Sequence, residues 1–258
     1  MIWTMLNTWR AELIIRGSRH RVALQDLPGN LYEFWKSSAR REFPGIPQDA
    51  VFFARAADGL LDFFDAVARN RAPCALPSMA ADSVWHAWQR LAPIKLETFC
   101  RKHFGRFIPH IEQEAMPGNM DAALAACLVR AREGEGIAPQ GPRLPKLFLL
   151  DRTVKMPHGY GYRVMRGQPE YSRLDGEGRM SPVASCPPAM AAVGLLGAGL
   201  ITQAEFEAHA ERARQHNSSG SSCGSGCGSS ISASCDSSDG GSCDGGSSCG
   251  SSCGGGGD

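Results

Sequence analysis

Along QDAVFFARAADGLLDFFDAVARN, residues 48–70, the apolar positions Val51, Phe52, Ala56, Leu60, Phe63, Phe64 and Val67 recur at intervals of three and four. That is the stripe of an amphipathic helix laid on a core, with Gly59 an unusual residue inside it. Upstream, LYEFWKSSARREF predicts a helix over Leu31–Phe43, with Asn30 as candidate N-cap and Pro44-Gly45 as its stop. Downstream, Asp82 or Ser83 is a candidate cap for a helix running to about Leu91. Pro93 suits the first position of the next helix, where its missing N–H is not needed, and Gly105 is a natural stop. A further helix is predicted from Met120 to Arg132, capped by Asn119.

The pattern changes after Gly134. Pro139, Pro142 and Pro145 stiffen a connector, and KLFLLDRTVKM and GYGYRVM predict two short strands around Pro157-His158-Gly159. Two helical stretches follow, PPAMAAVGLLGAG and TQAEFEAHAERARQH, the second opening on the capping-box pair Thr202 and Glu205. From residue 217 onward 35 of 42 residues are Gly, Ser or Cys, so almost no apolar surface offsets the entropy of ordering and a disordered tail is expected. The fold class expected is mainly α. A helical domain spans residues 1–135, a Pro-rich connector and short hairpin 136–180, a helical hairpin 181–216, and a Gly/Ser/Cys-rich tail 217–258.

Composition narrows the function classes. All 27 Lys and Arg precede residue 217 and four of the 26 acids follow it, so residues 1–216 carry a net +5. That is too mild for the basic stripe of a nucleic-acid binder. The longest apolar run, residues 189–201, is too short to span a bilayer. The first twenty residues break their apolar runs with Asn7, Arg10 and Glu12, unlike a signal peptide. A cytoplasmic protein with an unidentified protein partner is expected. The body cysteines, Cys74, Cys100, Cys127 and Cys186, are scattered as reduced thiols would be.

The densest chemistry lies in DSVWHAWQRLAPIKLETFCRKHFGRFIPH, residues 82–110. Asp82 and His86 are four apart and share a helix face, and a helical hairpin across Ala92-Pro93 could bring Cys100 and the returning His110 to them. Asp82, His86, Cys100 and His110 form a chemically adequate set for zinc, although H-x13-C-x2-H-x6-H matches no standard zinc spacing. The competing reading is a core in which Asp82 simply bonds a buried histidine. A catalytic Cys100–His103 pair is a third reading, weakened because adjacent turns of one helix seldom present a nucleophile to substrate. The basic cluster RKHFGR, residues 101–106, reads as a solvated helix end.

ALPSMAADSVWHAW and FCRKHFGRFIPH together resemble the glycine-rich domain-containing proteins, through Asp82, Trp85, His86, Cys100, Phe104, Gly105 and His110. LPKLFLLDRTVKMPHGYGYR extends the resemblance, which covers roughly residues 20–165. Trp88 stands where many members carry a second histidine, and Pro109 precedes a single His110. The resemblance implies a mostly helical domain and supplies no catalytic mechanism. Gly199, Ile201, Thr202, Glu205 and Phe206 also resemble a short helical interaction module common in bacterial proteins.

The tail cysteines Cys223, Cys227, Cys235, Cys243, Cys249 and Cys253 lack a C-x2-C clasp. A flexible extension, adaptable capture of a soft metal, cyclisation of Ser and Cys to azoles by a modifying enzyme, and intermolecular disulfides are the readings open there. The leading functional expectation is a non-enzymatic binding or assembly protein, zinc-linked if the cluster forms. A substrate for tail modification comes second and a thiol-dependent enzyme third.

Overall fold

The computed structural model describes residues 2–70, 73–111 and 119–218. Among them are ten α-helices and one two-stranded antiparallel hairpin. The helices are α1 (Ile2–Gly17), α2 (Arg21–Gln25), α3 (Leu31–Glu42), α4 (Ala50–Ala68), α5 (Met79–Leu91), α6 (Pro93–Phe104), α7 (Met120–Gly134), α8 (Lys146–Val154), α9 (Ala192–Gly197) and α10 (Gln203–Ser218). Strands β1 (Tyr160–Met165) and β2 (Gln168–Arg173) pair in the register Tyr160 to Arg173 and Met165 to Gln168. No described helix is long and apolar enough to cross a membrane. The tail readings fall on residues 219–258, outside the described residues.

Helix α4 is the central element, packed against α1, α5, α7 and α8. Its start is capped by Asp49, whose carboxylate accepts the N–H groups of Val51 and Phe52. Phe52, Ala56, Leu60, Phe63 and Phe64 are buried along it, as the periodicity predicts. Gly59 has a packing reason. A Cβ there would lie 2.4 Å from Leu150 Cδ2, so its absence lets α8 press close to α4. Trp35 of α3 is fully buried, stacks on Phe52 at 5.6 Å between ring centroids, and donates its indole N–H to Ser83 Oγ of α5 at 3.0 Å. One apolar core runs from Ala23 to Ile201 and takes in the hairpin through Tyr162.

Three sequence expectations are corrected. KLFLLDRTV is helix α8, not a strand. Its buried residues Leu147, Phe148, Leu150 and Asp151 sit on one helical face, and an unbroken run of four apolar residues carries no period of its own to tell helix from strand. The hairpin is therefore built from β1 and from residues 168–173, which the pattern left unassigned. Helix α5 begins at Met79 with Ser78 as N-cap, one turn earlier than a cap at Asp82 or Ser83 would give. Asn30 makes no side-chain cap at α3, whereas Asn119, Pro93, Gly105 and the Thr202–Glu205 box stand where expected.

Candidate metal centre

Helix α5 places Asp82 and His86 on successive turns of one face. Helix α6 ends at Gly105, which adopts φ +74 and reverses the chain. Residues 106–111 then run back toward α5 and deliver His110. Two contacts hold this return: Ile108 is buried in the core, and its backbone hydrogen-bonds the Cys100 sulfur. His110 stands edge-on to Trp85 at 4.5 Å and to His86 at 4.7 Å between ring centroids.

Three ligand atoms converge there. His110 Nε2 lies 3.0 Å from His86 Nε2 and 3.0 Å from Asp82 Oδ1, and His86 Nε2 lies 3.5 Å from the same oxygen. On the far side of His86, the Glu42 carboxylate at the end of α3 bonds Nδ1 and also pairs with Arg90 at 2.6 Å. An ionised carboxylate only accepts, so in the neutral ring Nδ1 carries the proton and the Nε2 lone pair faces the cluster. Burial raises the Glu42 carboxyl, but the bonds from His86 and Arg90 together outweigh it and hold the group below its ordinary value.

A single proton on His110 Nε2 serves both 3.0 Å contacts of this triangle, and no proton lies on the 3.5 Å edge. With His86 Nε2 an acceptor, only His110 Nε2 can bring a proton, and the remaining edge sets a lone pair against a carboxylate oxygen. A cation resolves all three edges. Three ligands of a tetrahedral ion bound at about 2.0–2.1 Å stand about 3.3–3.4 Å apart, close to the separations observed. The Asp82–His86–His110 set is the one group of three or more such side chains among the described residues close enough to share an ion. Glu42 then supplies the carboxylate–histidine bond that commonly orients a metal ligand.

Cys100 is not part of the set, a correction to the sequence reading. Its side chain is fully buried, and burial pushes its thiol up to about 11 despite the bond from Ile108. It holds the loop that carries His110. The Cys100–His103 pair fares no better as a nucleophile and base, because His103 bonds Asp26 at 2.8 Å and packs on Phe99. In the basic cluster, Lys102 also pairs with Asp26, and Arg101 with Glu97. Glu42 was missing from the sequence reading. Nothing local marks it, since it lies 44 positions before His86.

Asp82 and His110 also line a cavity of about 480 Å3. Its opposite wall is the hairpin, with Tyr160, Tyr171 and Arg173. A buried carboxylate joins the two walls. Asp151 accepts Ser78 Oγ at 2.6 Å, the N–H groups of Met79 and Ala80 at 3.0 Å, and the N–H of Tyr160 at 2.8 Å. Burial dominates and raises its pKa, although each of these bonds pulls it down. The α5 start and the β1 start therefore share one anchor. Gly159 lies against it, and a Cβ there would stand 2.6 Å from Asp151 Oδ2. Gly159→Ala is expected to lose about 1–3 kcal/mol from this overpacking, read as a lower urea midpoint with unchanged slope.

A profile of the UCP032817-like family matches residues 36–180, more than half of the chain. The chain belongs to that family. No curated protein and no solved structure matches it. The UCP032817-like span runs from within α3 to just beyond β2 and encloses Glu42, Asp82, His86, His110, Asp151 and the hairpin wall.

Proposed function

We propose that this protein binds one zinc-class divalent ion through Asp82, His86 and His110, and acts as a metal-dependent binding protein. The observation that carries the reading is the mutual approach of the three ligand atoms at 3.0, 3.0 and 3.5 Å. The Glu42 bond to His86 Nδ1 supports it by directing the Nε2 lone pair into the cluster. Three protein ligands leave a fourth position for water or a ligand, the arrangement of exchangeable rather than structural zinc sites. Two histidines and one carboxylate also suit non-haem Fe(II). The free, buried thiols Cys74, Cys100 and Cys127 fit a reducing cytoplasm.

The test is metal content by mass spectrometry of the full chain, purified under reducing conditions without chelator, beside single alanine variants. His86→Ala, His110→Ala and Asp82→Ala should each hold about one zinc fewer per chain than the parent. Cys100→Ala should keep the parent's content. The variant-minus-parent difference removes any metal carried by the tail thiols. Equal zinc in the parent and all three ligand variants would sink the reading.

A further inference from the structure

Resting on the metal reading above, we propose that the cavity takes a small carboxylate with an apolar body, whose carboxylate binds at the open metal position in the field of Arg173. Charge is the first argument. Among the described residues lining the cavity, the single acid is Asp82, set against Arg106 and Arg173. A divalent ion at Asp82 would add to the charges of Arg106 and Arg173, and an anion complements these cationic groups.

The second argument is the fixing of Arg173. Its Cζ sits 4.1 Å over the Tyr160 ring, and Nη1 donates to the His158 carbonyl at 2.9 Å. His158 holds that carbonyl in place from a left-handed conformation at φ +56, a costly state for a residue with a side chain. Nε and Nη2 have no partner among the described residues. The guanidinium is stacked and held on one edge at an exposed position, which fixes its charge at the cavity.

The third argument concerns the wall nearest the metal. Trp85 lines the cavity, and its indole N–H is buried without an acceptor among the described residues. Trp85, Tyr160 and Tyr171 set aromatic rings in the lining, which favour an apolar body behind the carboxylate over a bare inorganic anion. The volume of about 480 Å3 suits a molecule of that size.

Cobalt(II) reports on both claims. The full chain, with its accessible thiols first capped by iodoacetamide, is loaded with Co(II), and its visible ligand-field bands are followed during titration with benzoate, acetate, phosphate and benzamide. Benzoate should shift the bands saturably, and more tightly than acetate or phosphate. Arg173→Gln, checked for folding by circular dichroism, should take up cobalt and weaken the benzoate response by about tenfold or more. Arg106→Gln should weaken it less, because that side chain already donates to the Asn70 carbonyl. Cobalt held at the cluster with no benzoate response overturns the carboxylate proposal and leaves the metal reading standing. So does an equal response to benzamide, or one indifferent to Arg173→Gln. A response to phosphate alone overturns it in favour of a phosphate ligand. Cobalt uptake unchanged by His86→Ala overturns the metal reading, and this proposal with it.

Discussion

Replacing Asp151 with alanine is expected to cost about 3–5 kcal/mol of folding stability, among the largest effects of any single side chain in the protein. The variant would leave the Ser78 hydroxyl and the N–H groups of Met79, Ala80 and Tyr160 in the interior without their acceptor. Some of those donors are the orphan groups at the start of α5, where a negative charge is also favoured by the helix dipole. Asp151→Asn should fall between the two, since its amide oxygen can accept while its NH2 faces donors. Urea denaturation of the three proteins checks the order. The pH dependence has a definite sign. A carboxyl whose pKa is raised by folding contributes its full stability below its unfolded pKa and loses it as pH rises through the raised value. The gap between parent and Asp151→Ala should therefore narrow on going from acid toward neutral pH.

On the proposed metal reading, metal removal is the second large effect expected. An ion that binds the folded state alone adds about 4 kcal/mol when its free concentration exceeds Kd roughly a thousandfold. Adding zinc to chelated protein is expected to raise the melting temperature in proportion to the logarithm of free zinc. The dependence should vanish in His110→Ala. In Glu42→Gln it should persist but need more zinc, because outer-shell partners of this kind change metal affinity by about 10–100-fold when lost. A melting temperature indifferent to zinc in the parent would remove the metal from the folding equilibrium. Cys100→Ala separates the two jobs near the cluster. It should lower stability in every condition and leave the zinc dependence intact, because the thiol holds the His110 loop and no ion.

The helices that the sequence revealed are those in which one face is apolar and the ends are punctuated. Helix α4 has its stripe and α6 its Pro93 and Gly105, and both are where the periodicity put them. Helix α8 was misread because Leu147 to Leu150 is apolar at every position, which suits a buried strand as well as a buried helix. The start of α5 was misplaced because Ser78, Asp82 and Ser83 can all cap, and what selects Ser78 is Asp151, 73 positions further on. The site followed the same rule. Asp82 and His86 were legible from a spacing of four on one helix. His110 needed only the reversal at Gly105. Cys100 was drawn in by its chemistry, although its place on α6 turns it into the core. Glu42 was invisible because only the packing of α3 on α5 brings it near.

The shared anchor at Asp151 also sets how the protein breathes. The amides of Met79, Ala80 and Tyr160 end on one carboxylate. An opening that frees any of them withdraws a donor from the buried carboxyl group that serves the others. Their protons should therefore exchange with deuterium as a group, with one common opening free energy, although two elements separated by eighty residues carry them.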